Sequence, residues 1–439
     1  MELTPFWIGV IGIVVLLVIM FARMWVGVSM MVISFIGCWL ITGKFENAYQ
    51  VLGSVPYSQV ASYTMVCMPL FILMGTFLSH SDIGADLYIC VRKWIGHIKG
   101  GLAMATIGAC GLFAAICGES TATAITMGKI AYPEMRKYGY TQSLASCSIV
   151  CGGTIGILIP PSVIMIIYGV LVEESIGKLF IAGIIPGIMQ VLFYMATIWI
   201  LCKIKPAIAP VAEKFPVKDR VLSLKNVWPA GLLFIIIIAG IYSGFFTPTE
   251  AGGIGAAVAL VIVICMRRFN IKFFKDATMD ALQASTMVFC LLIGAYLFMR
   301  FTALSGLPNQ LTMALINFRT EYNVSPILIV VILMVVYFIL GMFLDSMAVL
   351  LLTVPIVYPI IIGMGFDGIW WGILMVRFIE MSMISPPFGL NLFVMTKAIN
   401  TPLGILYKGV WPFLIADAVH CALLIAFPQI VTFLPYMMS

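Results

Sequence analysis

The 439-residue sequence predicts an all-α polytopic membrane protein built from two related halves, residues 1–222 and 223–439, which cross the membrane in opposite senses. Three observations predict it. Hydrophobic residues make up 62% of the chain and charged residues 10%, with a mean hydropathy of +1.13, which leaves too little polar surface to coat a soluble globule. Apolar runs of bilayer-crossing length recur from end to end. Unusual residues also recur at one fixed interval of 226 positions. The apolar runs do not alternate in polarity, so a closed β-barrel is excluded.

The first run, PFWIGVIGIVVLLVIMFA at 5–22, lacks the basic n-region and the small-x-small cleavage site of a secretory signal, and the next run follows at once. It is read as a retained span. Further spans fall near 26–42, 62–79, 141–172 and 176–202 in the first half. In the second half they fall near 227–246, 252–266, 282–303, 369–395 and 405–433. Basic residues in short loops report orientation. The loop KIKPAIAPVAEKFPVKDRVLSLK, with Lys203, Lys205, Lys214, Lys218, Arg220 and Lys225, is placed in the cytoplasm. The groups Arg92/Lys93/Lys99, Arg136/Lys137 and Arg267/Arg268/Lys272/Lys275 are placed on the same side. The base-free loops VEES and SGFFTPTEAGG fall outside. Five crossings per half is an odd number, so the halves invert and both termini lie outside, in the periplasm if the host is a two-membrane bacterium.

Two apolar stretches, 100–135 and 326–361, begin and end on one side and read as re-entrant helical hairpins, the first entered from the cytoplasm and the second from outside. Irregular backbone at a hairpin tip is tolerated only where protein or water surrounds it, so the tips point at a site. The stretches SDIGADLYICVRKWIGHIKG and LSGLPNQLTMALINFRTEYN precede the hairpins and read as interfacial amphipathic arms linking a fixed scaffold to a moving hairpin domain.

The 226-residue interval pairs Ser120 with Ser346, Tyr132-Pro133 with Tyr358-Pro359, Pro160-Pro161 with Pro386-Pro387, Gly183 with Gly409, and Pro186 with Pro412. Glu119 then faces Asp345, so each half carries an acid-Ser tip followed about forty residues later by Pro-Pro. The first tip, CGESTATA, offers Gly118, Glu119, Ser120, Thr121 and Thr123. Hydroxyls and backbone carbonyls are what a hard alkali cation needs, although Ser and Thr also cement membrane helices. CGGTIGILIPPSVIM must break near Ile159 and Pro160, because proline removes a donor and clashes with the preceding turn. A broken helix exposes carbonyls that suit a cation and amides that suit an anionic substrate group. In the second half, GMFLDSMAV opposes EMSMISPPFGLNLF, and Asp345 and Glu380 are intramembrane carboxylates, which by default mark an ion or substrate path. Two tips facing two broken spans make two pseudo-symmetric ion sites with a substrate between them. Thr123, Thr154, Ser162 and Asn391 are candidate substrate contacts. Arg377 is read as a counter-ion for a substrate carboxylate or as a partner for Glu380, with the second favoured because buried charges pair.

Other polar residues have plainer readings. The eleven cysteines show no CxxC and no neighbouring histidine cluster, and read as reduced packing residues. Arg300 sits where it can snorkel. His80, His97 and His420 lie far apart with no nucleophile, so no enzyme is indicated and no metal beyond an alkali cation. The net charge of +6 resides in span-connecting loops and implies no nucleic-acid partner.

The segments GGLAMATIGACGLFAAICGESTATA, GGTIGILIPPS, LSGLPNQL and ISPPFGLNLFV together resemble the large membrane subunit of tripartite ATP-independent periplasmic (TRAP) transporters, the DctM-like subunit, over essentially the whole chain. The resemblance implies an elevator-type importer in a bacterial inner membrane that couples sodium to uptake of a small organic acid, such as a C4-dicarboxylate, sialic acid or similar carboxylate. No cofactor is implied. It also implies a periplasmic (DctP-like) binding protein and a small (DctQ-like) membrane subunit, expected as a separate chain because this one starts directly at its first span. It puts sodium at Gly118 and Ser120 facing Gly153, Thr154, Gly156 and Pro160, and at Gly341, Asp345 and Ser346 facing Met383, Ser385 and Pro387. Glu119, Glu380, Pro161 and Pro386 take structural or coupling roles. Arg377 and Phe378 depart from the neutral or amide-bearing residues of the family pattern, which puts substrate identity in doubt. The competing reading is a stand-alone sodium-coupled carboxylate symporter or antiporter of related hairpin architecture.

Overall fold

A computed structural model describes residues 4–22 and 24–437. Proline at the first helical position, where its missing N–H is no loss, opens α1 (Pro5–Phe21), and the first half continues with α2 (Val26–Thr42), α3 (Phe45–Val60), α4 (Cys67–Ser79) and α5 (Ile83–Ile95). The first predicted hairpin is α6 (Gly101–Cys117) and α7 (Ser120–Lys137). The first predicted broken span is α8 (Gln142–Thr154) and α9 (Val163–Val172), followed by α10 (Ile176–Ile204) and the short α11 (Val217–Leu224). The second half runs α12 (Trp228–Tyr242), α13 (Pro248–Cys265), α14 (Ile271–Ser305) and α15 (Leu307–Tyr322). The second hairpin, α16 (Pro326–Phe343) and α17 (Ser346–Gly363), precedes the second broken span, α18 (Gly368–Met383) and α19 (Leu390–Ile399). The chain closes with α20 (Leu403–Ala426) and α21 (Gln429–Tyr436).

By length and composition six helices can cross a membrane, or up to eight if each bent helix pair counts as one span. Four of the six, α10, α13, α14 and α20, are expected spans, and the other two, α16 and α17, are the helices of the second hairpin. The expected spans at 62–79 and 227–246 belong to the bent pairs, and α1, α2 and the pieces of the broken spans are individually short. Two elements were not legible as drawn. Residues 45–60 are helical, and they meet the segment 63–79 at a 62° bend, where no element is expected from the sequence between the spans at 26–42 and 62–79. The span expected at 282–303 is the end of a single 35-residue helix that starts at Ile271.

The 226-residue interval extends to helix boundaries. α7 and α17 start at Ser120 and Ser346 and end at Lys137 and Gly363, keeping the interval at both ends. The bent pair spanning 45–79 and the unbroken α14 spanning 271–305 keep it as well. Both Pro-Pro bonds, Pro160-Pro161 and Pro386-Pro387, are cis. The halves also exchange partners: α7 packs on α19 of the other half, and α17 packs on α9.

Two groups of helices surround the candidate site. In one, α2, α4, α13 and α14 pack on each other. α2 and α14 cross where Gly27 meets Gly294, since a Cβ on Gly294 would lie 2.9 Å from the Gly27 Cα, the close backbone approach that small residues allow between membrane helices. In the other, α6, α7 and α8 pack together, with α10 and α20 against them and α18 against α10, α16 and α17. Exposed apolar side chains such as Val14, Val18, Leu40, Ile235, Val261, Ile332, Ile339 and Ile415 form the surface expected against lipid. Arg300 is exposed on α14, as a snorkelling residue would be.

The basic loops gather at one end of the bundle. Arg92 pairs with Glu134 at 2.8 Å and Arg268 with Asp86 at 2.7 Å, and the Trp94 indole N–H donates to the Arg220 carbonyl. All eleven cysteines are free, eight of them buried.

Candidate functional site

The first hairpin turns on two residues. Gly118 closes α6 at φ +66°, a left-handed conformation that favours glycine, and a Cβ there would lie 2.5 Å from the Pro161 carbonyl oxygen. Glu119 is extended and caps α7, its carboxylate accepting from the Thr121 and Ala122 amides at 3.0 and 2.5 Å. Such caps satisfy amides that a helix start leaves open. The tip lies directly on the first break. Cβ atoms on Gly153 and Gly156 would each sit 3.0 Å from a tip carbonyl oxygen, of Ser120 and Glu119 respectively. Below the tip α8 ends at Thr154, a single tight turn covers 155–157, Pro160 and Pro161 follow, and Ser162 caps α9 by accepting from the Met165 amide at 3.5 Å. The Ser120 hydroxyl is buried and has no hydrogen-bond partner.

The second tip repeats this construction. Asp345 caps α17, accepting from the Ala348 amide at 2.9 Å. The Ser346 hydroxyl contacts the Met383 sulfur at 2.7 Å and donates to Glu380 Oε1 at 3.4 Å. Gly341, one turn before the tip, lies against Ser382 with no room for a Cβ. The break after Met383 holds Ser385, whose hydroxyl donates to the Met381 carbonyl at 2.7 Å, then Pro386 and Pro387, whose carbonyl accepts from the Tyr407 hydroxyl. Gly389, at φ +59°, starts α19.

The two tips converge on α18. Glu380 is 1% exposed, its Oε1 faces Ser346, its Oε2 has no partner, and the Ser120 hydroxyl of the other tip lies beside it. The Thr121 hydroxyl donates to Asn391 Oδ1 at 3.2 Å, so the first tip also touches the start of α19, where Asn391 Nδ2 remains unpaired. Among the described residues no three His, Cys, Asp or Glu side chains gather as a transition-metal site would require. Hydroxyls, carbonyls and carboxylates form an oxygen set suited to a hard cation.

Arg377 corrects the sequence reading. Its partner is Asp417 on α20, not Glu380, and its Nε also donates to His420 Nδ1 at 3.3 Å. Thr154 belongs to the same enclosed array, with its hydroxyl 3.2 Å from the Tyr194 hydroxyl, which donates to Asp417 Oδ2 at 3.0 Å. Asp417 and Tyr194 have no place in the sequence reading because each sits singly in an apolar run, and His420, set aside there as a lone histidine, joins them; the signal available was that Asp417 is an acid within a span. Of the candidate substrate contacts, Thr123 spends its hydroxyl on the Glu119 carbonyl and Ser162 on its cap, so Asn391 alone keeps an open polar nitrogen.

A cavity of about 490 Å³ lies between the hairpin tips and the helices α4 and α14. Glu119, Cys117 and Met347 line it from the tips, and Thr76, Ser79, His80 and Asp280 from α4 and α14, with His80 and Asp280 paired at 3.2 Å. A smaller cavity of about 210 Å³ brings Asp345 against Trp25 and Gly27 of the α2 end and Met287 and Cys290 of α14. Both acidic tips therefore border space against the same long helix.

The model of the tripartite ATP-independent periplasmic transporter DctM component matches residues 13–430. The chain belongs to this family. DctM-family members are permease subunits, so the chain is the large permease subunit of a TRAP transporter, a multi-pass membrane protein and not an enzyme. Among curated relatives it is 34% identical over 374 residues to the C4-dicarboxylate TRAP transporter large permease protein DctM of Pseudomonas aeruginosa, covering 85% of this chain and 84% of that one. It is 29% identical to the sialic acid large permease SiaM of Vibrio cholerae, covering 95% and 96%. It is 32% identical to the ectoine large permease TeaC of Halomonas elongata, covering 89% and 90%. Its fold is similar to that of the Alcanivorax borkumensis YdaH transporter, with a TM-score of 0.63, 14% identity and 87% of each chain covered.

Proposed function

We propose that this DctM-family permease imports a small organic acid together with sodium, receiving the acid from a periplasmic binding protein and working with a small membrane subunit in a bacterial inner membrane. The observation that carries the reading is the junction at Glu380, where the buried Ser120 hydroxyl and one carboxylate oxygen, Glu380 Oε2, lie unpartnered between two hairpin tips and two broken helices. Unpaired buried oxygens are costly, and a bound cation satisfies them. The first sodium position takes Gly118 and Ser120 against the Gly153, Thr154, Gly156 and Pro160 backbone. The second takes Gly341, Asp345 and Ser346 against Met383, Ser385 and Pro387.

The relatives' names support a small acid as substrate: C4-dicarboxylates, sialic acid and ectoine carry a carboxylate, and isethionate, named for a further relative, carries a sulfonate. In this reading the acid occupies the cavity beside the tips, and sodium at the tips offsets its charge next to Glu119. Asn391, buried at the start of α19 and outside the lining of that cavity, keeps its unpaired nitrogen behind the first tip as the candidate donor once the tip moves. The halves, with boundaries at 222 and 223, lie in opposite orientation with ten crossings and both termini in the periplasm. The helices α6–α9 and α16–α19 move as an elevator against α2, α4, α13 and α14, with α5 and α15 as arms.

Partner dependence tests this against a stand-alone symporter. In proteoliposomes containing the permease and its small subunit, uptake of radiolabelled succinate, N-acetylneuraminate or ectoine is expected only when the cognate binding protein is supplied outside. Full-rate uptake by the permease alone would sink the tripartite reading.

A further inference from the structure

Apart from the Thr154 backbone, the buried array around Arg377 takes no part in the sodium sites. It joins α8, α10, α18 and α20: Thr154, Tyr194, Asp417, Arg377 and His420 are each no more than 1% exposed. Gln190, with its carboxamide oxygen turned to the guanidinium, accepts from both terminal Arg377 nitrogens at 3.2 and 3.3 Å. At the 226-residue interval Thr154 corresponds to Glu380, Cys151 to Arg377, Val191 to Asp417 and Tyr194 to His420. One half is thus neutral where the other is charged, and the charged set reaches across to hold the neutral one.

An ion pair wholly removed from water is a poor device for stability alone, because its desolvation rivals its attraction and apolar residues of similar volume do as well. What it does supply is fixed geometry. Asp417, anchored by Arg377, accepts the Tyr194 proton, so the Thr154 hydroxyl is the donor left between the two: it donates to the Cys151 carbonyl at 2.7 Å and shares that proton with the Tyr194 oxygen at 3.2 Å. Thr154 is the last residue of α8, next to the turn that meets the Glu119 and Ser120 carbonyls of the first tip.

We propose that Tyr194, clamped by the Arg377–Asp417 pair, is a positioning residue that fixes Thr154 and thereby the carbonyl end of α8 at the first cation site. The assignment rests on the sodium reading of that site. Partners that orient a ligand contribute to cation affinity without touching the cation, and removing one weakens binding by roughly ten-fold or more.

The test is sodium-dependent thermal stabilisation of the purified full chain in nanodiscs, titrating sodium chloride against choline chloride at constant ionic strength. Tyr194→Phe removes one hydroxyl and keeps the ring. The expected result is a half-saturating sodium concentration raised by roughly ten-fold, with the melting temperature in choline close to that of the unsubstituted chain. Asp417→Asn, which still accepts from Tyr194, is expected to raise it less, and it provides a second reading if the phenylalanine variant does not fold. A lowered melting temperature in choline with an unchanged sodium midpoint in both variants would make the array structural and overturn the assignment. No sodium effect on the unsubstituted chain would instead remove the cation reading, and the assignment with it.

Discussion

Arg377→Ala is expected to destabilise the folded protein by about 3–5 kcal/mol, because it strands the Asp417 carboxylate in a site 1% exposed. Tyr194 would remain as the donor to Asp417, and His420 Nδ1 and the Gln190 carboxamide would lose their guanidinium partner. The measurement is the thermal melt and the monodisperse fraction in detergent. The double substitution Arg377→Met with Asp417→Leu is expected to recover most of the loss, because it removes both charges and keeps the volume. A single variant as stable as the parent would show that the pair is not a buried ion pair in the membrane.

The second large effect concerns the tips. Ser120→Ala deletes a hydroxyl that bonds nothing within the fold, so insertion and stability should hold while sodium-dependent uptake falls by roughly ten- to a hundred-fold. Asp345→Ala removes a helix cap as well as a charge, with about 1 kcal/mol of its effect coming from the cap. Asp345→Asn separates the two, since the amide oxygen still caps α17 while the charge is gone. Uptake with unchanged sodium dependence in Ser120→Ala and Asp345→Asn would take both residues out of the cation sites.

The parts of this molecule that could be read from its sequence are those where local chemistry dictates conformation. Pro160-Pro161 and Pro386-Pro387 cannot continue a helix, and Glu119 and Asp345 are acids placed where a new helix needs a cap, so the hairpins and breaks appear where the residues require them. The helix 45–60 was missed because FENAYQVLGSVPYSQV is half polar and contains Pro56, and neither length nor hydropathy marks it as a span. The partner of Arg377 was missed for a different reason. Glu380 is one helical turn away in sequence, whereas Asp417 lies 40 residues off on α20, and only tertiary packing decides between them. The same holds for the cavity residues Thr76, Ser79, His80 and Asp280, which come from two helices that meet only in three dimensions. The 226-residue interval did carry tertiary information, because it pairs Thr154 with Glu380 and Tyr194 with His420, all of which lie in or beside one buried array.

The most direct test of the central claim is uptake driven by a sodium gradient alone. Permease and small subunit are reconstituted, the binding protein is loaded with its radiolabelled acid outside, and external sodium is compared with choline at equal ionic strength with no membrane potential imposed. Accumulation above equilibrium with sodium outside, and its loss in choline, is the predicted result. Equal accumulation in choline would contradict a cation site at the tips that powers import.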